Sequence, residues 1–147
     1  WNVVNNAALM NHAAGPMKQR RDGVILATSS ASGVRPIHTA IPYGVSKAGL
    51  NHFVRTLGGE LAPYNVRVNA IAPGLTLTES VKAHAEKNPD MVKVMRARVP
   101  LRRMLDPREI AAGMVFLASE GGKAITGQTI SMDGGEPGPG VGPGPED

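Results

Sequence analysis

Cysteine is absent from the 147-residue sequence, which excludes disulfide bonds, thiolate catalysis and zinc sites with cysteine ligands. This composition suits a reducing compartment, and we expect a cytoplasmic protein. Aromatic residues make up only 3% of the chain, so there is little surface on which nucleic-acid bases could stack. No hydrophobic run approaches the roughly 18 residues that a membrane-spanning helix needs, and no signal peptide is visible.

The charge balance is basic, but the charges are scattered. Sixteen Lys and Arg residues stand against twelve Asp and Glu residues, giving a formal charge of +4 and an isoelectric point near 9.8. The densest basic groups lie at positions 18–21 and 96–103. Because few aromatic residues accompany them, we interpret these groups as solvated surface and not as a nucleic-acid site. We therefore expect neither nucleic acid nor a membrane as a partner.

Helical and strand patterns alternate along the chain. Apolar residues recur at helical spacing in segments 2–19 and 42–61. The apolar run 24–27 lacks alternation, which predicts a strand buried on both faces, and further strands are predicted at 66–72 and 128–132. Strands separated by helices of this length indicate right-handed crossovers. The predicted fold class is therefore α/β, with a partial doubly wound parallel sheet of the Rossmann type.

Local signals predict where the later elements begin and end. The helical segment 79–98 is interrupted at Asn88-Pro89, so we expect two helices there. Asp106, Pro107 and Glu109 form a strong helix start, with a capping carboxylate, proline in the first turn and glutamate at the third position. From Gly134 onward, ten of fourteen residues are Gly or Pro. We predict that residues 136–147 form a disordered tail.

Tyr43 and Lys47 are four residues apart, so in a helix they share one face, with the ammonium beside the phenol. A neighbouring positive charge favours the phenolate form of a tyrosine. Ser30 ends the first predicted strand, and segment 69–78 ends the second. Because ligands of such sheets bind beyond the carboxyl ends of the strands, these residues predict one site.

Four motifs carry a resemblance to a known family. The first is Tyr43-Gly44-Val45-Ser46-Lys47, with Ser30 thirteen residues ahead of the tyrosine. The others are Asn69-Ala70-Ile71-Ala72-Pro73-Gly74-Leu75-Thr76-Leu77-Thr78, Ile125-Thr126-Gly127-Gln128 and Asp133-Gly134-Gly135. In these motifs the sequence resembles the C-terminal half of a short-chain dehydrogenase/reductase. Residues 1–135 would then be the C-terminal part of a single Rossmann-like domain.

The resemblance implies an NAD- or NADP-dependent oxidoreductase that transfers a hydride between a nicotinamide and a secondary alcohol or ketone. Tyr43 would be the general acid/base, and Lys47 would favour its phenolate and hydrogen-bond the nicotinamide ribose. Ser30 would hold the substrate oxygen. Pro73, Gly74, Thr76 and Thr78 would seat the nicotinamide, and segment 79–98 would be a substrate lid. Family members commonly assemble through the helices at 2–19 and 42–61, so a homodimer or homotetramer is implied for a full-length form.

The asparagines near the start of the chain could match either of two features of the family: a strand-end Asn-Asn-Ala-Gly motif, or the helix asparagine that is the fourth catalytic residue and orders a water. Asn5-Asn6-Ala7-Ala8 imitates an Asn-Asn-Ala-Gly motif of the family, but it lies within a segment of helical periodicity. It also stands too close to Ser30 to leave room for a crossover helix. Counting back from Ser30, Asn2 fits better, and we predict that Asn2 is the fourth catalytic residue.

The sequence departs from the family in one respect. No Gly-x-x-x-Gly-x-Gly motif opens a helix, although the family uses such a turn to bind the pyrophosphate. The chain also begins at Trp1 and not at methionine, as though it were cut from a longer protein. The alternative is therefore a catalytically inactive, truncated remnant that acts as a scaffold or interaction module.

Each candidate residue also has a purely structural interpretation. Ser30 could cap a turn, Tyr43 could be a half-buried core ring, and Lys47 could extend to solvent. Asn69 could satisfy backbone groups only, and Thr78 could be a helix cap. The histidines (His12, His38, His52 and His84) lack a metal-ligand spacing, so no metal site is expected; His38 is a weak candidate for substrate contact.

Overall fold

The fold is a three-stranded parallel sheet with helices packed against it. The computed structural model describes residues 3–36 and 41–136, apart from the side chains of Pro89 and Met91. The sheet has the order β1-β2-β3. In chain order the elements are α1 (Val4–Arg20), β1 (Gly23–Thr28), α2 (Ile41–Leu61), β2 (Val66–Pro73), α3 (Glu79–Lys87), α4 (Pro89–Ala97), α5 (Pro107–Ala118) and β3 (Thr129–Met132). The predicted α/β fold class is confirmed.

Helices α1 and α2 cover one face of the sheet. Helix α2 buries Leu50, Val54, Leu57 and Leu61, which recur at the 3.6-residue period of a helix. They pack with α1 and with the alternate side chains of β1 and β2 in one apolar cluster. Burial of this stripe, and not intrinsic helix propensity, supplies most of the stability of such a helix.

Strand β2 is central and β1 lies at an edge of the described sheet. Residues 66, 68 and 69–72 of β2 are all buried, because strands pair with both of its edges and helices, α2 and α5 among them, pack against it. In β1, Ile25 and Ala27 are buried against the helical face, whereas Val24 and Leu26 are only partly buried. The prediction that β1 is buried on both faces is therefore wrong for its second face. That face has less helix packed on it than the first.

Asn69 fastens β2 to the segment that leads into β3. Its side chain is fully buried, with Nδ2 donating to the carbonyl of Ile125 (2.8 Å) and Oδ1 accepting from the backbone N–H of Gln128 (3.0 Å). Both polar ends of the amide are thus satisfied, as a buried polar group requires. The structural interpretation of Asn69 is confirmed.

Two predicted helix boundaries are confirmed. The segment after β2 forms two helices, because Pro89 lacks an N–H donor and begins α4 where α3 has ended. Asp106 caps α5: its Oδ1 accepts from the N–H of Arg108 (2.8 Å), and its own N–H donates to Glu109 (2.7 Å). This is the reciprocal capping box that the sequence predicted.

The capping box makes stability depend on acidity. Hydrogen bonding by Arg108 lowers the pKa of Asp106 from 3.8 to about 2, and hydrogen bonding by Arg103 lowers the pKa of Glu109 from 4.5 to about 2. A lowered folded-state pKa contributes stability that is complete above the ordinary pKa. We expect that contribution to disappear as the pH falls from about 4.5 to about 2.

Denaturant unfolding across this pH range measures the effect. The matched control is the double variant Asp106→Asn/Glu109→Gln, which keeps the shapes of both side chains and removes both titrations. Its free energy of unfolding should fall less steeply with acid than that of the unmodified chain. Equal slopes for the two proteins would contradict the assignment.

The ends of the chain are described in part. Glu136, the first residue of the predicted tail, forms an ion pair with Arg35 (3.0 Å). Residues 137–147 lie outside the described residues, so the disordered tail stays a prediction.

Among the helices that the structure describes, none combines the length and apolar character needed to cross a membrane.

Candidate active site

A cavity of about 460 Å³ opens at the carboxyl ends of β1 and β2. Thr28, Ser29 and Ser30 line it from the end of β1, and Tyr43 lines it from α2. The remaining wall is the segment after β2, together with side chains of α3 and α5; its residues are Pro73, Gly74, Leu75, Thr76, Thr78, Val81, Pro107 and Ile110. The predicted convergence of strand-end residues is thus observed.

Ser30 has a local structural role and also faces the cavity. Its backbone is extended, and its Oγ accepts from the N–H of Ser32 (3.2 Å), which starts the 3₁₀ turn Ala31–Gly33. The turn closes with a bond from the N–H of Gly33 to the carbonyl of Ser30 (2.9 Å). Capping and cavity lining therefore coexist in this one side chain.

Asn51 was not predicted from the sequence, yet its side chain holds the loop of residues 29–33, here called the serine loop. The buried hydroxyl of Ser29 donates to Asn51 Oδ1, and Asn51 Nδ2 donates to the carbonyl of Gly33 (3.0 Å). The signal available in the sequence is a polar residue on the apolar side of α2, between Leu50 and Val54. Helix α2 thus carries Tyr43 and also orients the loop that presents Ser30.

Tyr43 and Lys47 lie one turn apart on α2. The Lys47 ammonium is 5.7 Å from the centroid of the Tyr43 ring and donates to the carbonyl of Thr28 (2.9 Å). Lys47 is only 9% exposed, so the interpretation that it extends to solvent is wrong. Tyr43 is 44% exposed and open to the cavity, so it is not a core ring. A buried cation therefore lies behind an accessible phenol.

Close packing shapes the wall formed by residues 73–78. The N–H of Gly74 donates to the carbonyl of Met132 (2.9 Å), and a Cβ at Gly74 would lie 2.7 Å from the Asp133 Cα. Only glycine allows this approach of two backbones. Thr76 Oγ1 donates to the carbonyl of Gly74 (3.0 Å), and Thr78 Oγ accepts from the N–H of Val81 (3.3 Å), capping α3. Both threonines nevertheless line the cavity.

A second cavity, of about 400 Å³, lies between α3 and α4. Val81 lines both cavities, so α3, the first helix of the pair predicted to be a lid, borders the candidate site. His84 and Lys87 line the second cavity on the α3 side, and Met95 lines it on the α4 side.

Two sequence candidates lie outside the described residues: Asn2, the predicted fourth catalytic residue, and His38. The competing Asn5-Asn6 pair lies within α1, as its periodicity predicted, and not at the end of a strand. Across residues 3–36 and 41–136, no group of three or more His, Asp or Glu side chains is arranged to hold a metal ion.

The fold and the cavity together define an α/β protein with a Rossmann-like parallel sheet and a strand-end site. A family model described as enoyl-(acyl carrier protein) reductase matches residues 2–136. The chain is 40% identical to an acetoacetyl-CoA reductase from Acinetobacter sp. over 119 residues, covering 81% of this chain and 47% of that protein. The chain belongs to the short-chain dehydrogenase/reductase family.

Solved structures agree with this membership. The structure of ElxO with NADP bound superposes with a TM-score of 0.88 at 27% identity, covering 92% of this chain and 54% of that one. A 7α-hydroxysteroid dehydrogenase complexed with NADH and 7-oxo glycochenodeoxycholic acid gives a TM-score of 0.85 at 32% identity, covering 92% and 52%. The chain spans about half the length of the curated relatives it matches.

Proposed function

We propose that this chain is the substrate-binding and catalytic part of an NAD- or NADP-dependent oxidoreductase that interconverts a secondary alcohol and a ketone. The observation that carries the proposal is the convergence of three residues: Ser30 and Tyr43 line one cavity, and the Lys47 ammonium lies 5.7 Å from the centroid of the Tyr43 ring. A hydroxyl residue and a phenol residue at one cavity, with a cation beside the phenol ring, suit proton exchange with a carbonyl oxygen.

The cavity fits the nicotinamide end of a dinucleotide in size and in chemistry. Its volume of about 460 Å³ lies within the range of about 300–1,000 Å³ found for small-molecule sites. Thr76 and Thr78 supply hydroxyls along one wall, and Pro73 supplies an apolar surface for a flat ring. Two structures similar to this chain contain NADP and NADH, respectively, so the choice between the two cofactors stays open.

When bound, the nicotinamide supplies or accepts the hydride. Tyr43 then exchanges a proton between its phenol oxygen and the substrate oxygen. The Lys47 ammonium lies beside the Tyr43 ring, 5.7 Å from its centroid, and Ser30 donates a hydrogen bond to the substrate oxygen. Asn2 is proposed to order a water that relays protons to Lys47.

The proposed substrate class is a small molecule that carries a ketone, or the corresponding secondary alcohol. An acetoacetyl-CoA reductase is among the relatives of this chain, and a structural neighbour was solved with an oxo steroid. Both names imply a carbonyl carbon as the reacting centre. The α3–α4 pair, with the cavity that adjoins the first one, is the part proposed to select the remainder of the substrate.

Hydride transfer by the complete gene product tests the proposal. Deuterium from a labelled nicotinamide cofactor should appear on the carbinol carbon of the product when a panel of ketones is reduced. Ser30→Ala should lower kcat/KM by about 10²-fold per folded molecule, because the hydrogen-bond donor at the developing oxyanion is lost. Ser32→Ala, two residues further along the same turn, is the matched control and should retain activity.

If the protein neither reduces any ketone nor binds a dinucleotide, the oxidoreductase proposal fails and the remnant interpretation is left. Turnover that Ser30→Ala and Ser32→Ala affect equally would remove Ser30 from the mechanism.

A homo-oligomer built through α1 and α2 stays a prediction, as does a cytoplasmic location. One feature supports the oligomer: both helices carry exposed apolar side chains, Val4 and Leu9 on α1 and Ile41 and Val45 on α2. Sedimentation analysis of the complete gene product measures the assembly state.

A further inference from the structure

A buried cluster of three charges lies beside the candidate site. Arg35 Nη1 is 2.8 Å from Asp133 Oδ2, and Arg35 Nη2 is 3.0 Å from Glu136 Oε2. The three side chains are only 15%, 11% and 13% exposed, respectively. Exposed ion pairs contribute little to stability, but a pair withdrawn from water is costly to break because the remaining charge stays buried.

Arg35 belongs to the turn that Ser30 opens. Its backbone N–H donates to the carbonyl of Ala31 (3.0 Å), one residue after Ser30. Because of this hydrogen bond between Arg35 and Ala31, a displacement of the Arg35 backbone also displaces the turn. The guanidinium fixes the far end of that turn.

One of the two carboxylates, Asp133, belongs to a residue that packs against Gly74 in the opposite wall of the cavity. Asp133 follows β3, and its backbone lies in contact with Gly74, as the close approach of the two backbones requires. Asp133 Oδ1 also accepts from the N–H of Gly135 (3.0 Å), which orients the carboxylate toward Arg35. The ion pairs thus join the Ser30 loop to the wall that begins at Gly74.

The turn after β3, which contains Asp133 and Gly134, also contacts the segment that follows α4. The carbonyl of Gly134 accepts from the N–H of Leu101 (3.2 Å), and Gly134 packs against Val99, which is buried. Val99 comes two residues after α4 ends. The charge cluster therefore connects three parts of the site: the serine loop, the wall of residues 73–78 and the segment that follows α4.

Arginine suits this position better than lysine does. A guanidinium presents several N–H donors in a fixed plane, so it can hold two carboxylates at once with defined directions. A lysine ammonium is a point charge on a flexible stem and fixes no such geometry. The arrangement points to positioning and not merely to charge balance.

We propose that Arg35, acting through Asp133 and Glu136, is a positioning residue that sets the Ser30 hydroxyl against the wall of residues 73–78. The inference rests on the proposed function, because it assigns these two walls to substrate oxygen and nicotinamide. Loss of the ion pairs loosens the Ser30 loop and leaves the bonds within the other wall intact. Misalignment of this kind acts on the chemical step and not on cofactor affinity.

The test measures kcat, KM and cofactor affinity per folded molecule in the complete gene product. Arg35→Gln should lower kcat by about 10-fold to 10²-fold with little change in cofactor dissociation, because small misplacements near a reaction centre act on the rate. Glu136→Gln should give a smaller loss. The double variant Arg35→Gln/Glu136→Gln should resemble Arg35→Gln alone, since both changes remove the Arg35–Glu136 ion pair. Arg35→Lys should keep more of the rate than Arg35→Gln does.

Lys123→Gln provides the matched control. It removes an exposed cation from its pair with Glu120, away from the cavity, and should leave every kinetic parameter unchanged. Glu136→Gln keeps the test valid if Arg35→Gln proves too unstable, because it removes one ion pair and leaves Arg35–Asp133 in place.

The proposal is overturned if Arg35→Gln and Glu136→Gln lower the melting temperature but leave kcat unchanged. If the complete gene product neither reduces a ketone nor binds a dinucleotide, the proposed function fails separately, and amide hydrogen exchange then decides on the ion-pair cluster alone. The N–H groups of Ser32 and Gly33 bond to Ser30 in the turn and should exchange at least about tenfold faster in Glu136→Gln. Unchanged exchange there would refute the structural link itself.

Discussion

Replacement of Tyr43 by phenylalanine should lower kcat/KM for ketone reduction by about 10³-fold, within the range of general acid/base contributions. The variant keeps the aromatic ring of a residue that lines the cavity and removes only the oxygen that is proposed to exchange the proton. The Lys47 ammonium keeps its bond to the carbonyl of Thr28, so the helix and strand stay joined. Cofactor dissociation, followed by fluorescence or calorimetry, should be nearly unchanged, and the entire loss should lie in the chemical step.

The second tyrosine of the chain supplies the control. Tyr64 lies away from the cavity, in a 3₁₀ turn after α2, with the Lys18 ammonium 4.5 Å from its ring centroid. Tyr64→Phe keeps that ring contact, so rate and stability should both be retained. Equal activities for Tyr43→Phe and Tyr64→Phe would remove the phenol from the mechanism and with it the proposed general acid/base.

Local signals predicted the elements well because each boundary has a local cause. Pro89 cannot donate an N–H, and Asp106 and Glu109 reciprocally cap α5 within four residues. For strand β1, local sequence predicted the strand but not which of its faces is buried. An apolar run without alternation indicates burial, but whether Val24 and Leu26 are covered depends on how much helix packs on each face.

In the candidate site, too, some contacts could be predicted from local sequence and others could not. Tyr43 and Lys47 are four residues apart on a helix, so their proximity follows from helix geometry, and Ser30 follows from its place at a strand end. The pairing of Arg35 with Asp133 spans 98 residues, and nothing in either local sequence indicates it. Contacts at such separation depend on the strand order and on the turn after β3, which a single sequence does not specify.

The second large effect is expected from adding one methyl group at Gly33. A Cβ at this position would lie 2.6 Å from the carbonyl carbon of Lys47 and 2.8 Å from the backbone nitrogen of Ala48. These are backbone atoms of α2 and cannot rotate away, so the serine loop must move off the helix. Gly33→Ala should therefore lower the free energy of unfolding by about 3 kcal/mol, at the upper end of ordinary overpacking.

The displacement should also reduce catalysis. The carbonyl of Gly33 accepts from Asn51, and this bond holds the loop that carries Ser30 close to the helix that carries Tyr43. Moving the loop separates the two hydroxyls, and we expect kcat to fall by about 10²-fold per folded molecule. Denaturant titration and steady-state kinetics on the same samples separate the two effects.

Gly59→Ala, within the helix α2 against which Gly33 packs, is the matched control. No atom lies within 4 Å of a Cβ built at Gly59, so the added methyl group meets open space. Alanine in a helix interior is favoured over glycine by about 0.5–1 kcal/mol, so this variant should be more stable than the unmodified protein and equally active. The two substitutions are chemically identical and differ only in what surrounds the new methyl group. If Gly33→Ala were tolerated as well as Gly59→Ala, the close contact between the serine loop and α2 would not exist in solution, and Ser30 and Tyr43 would not be held at one site.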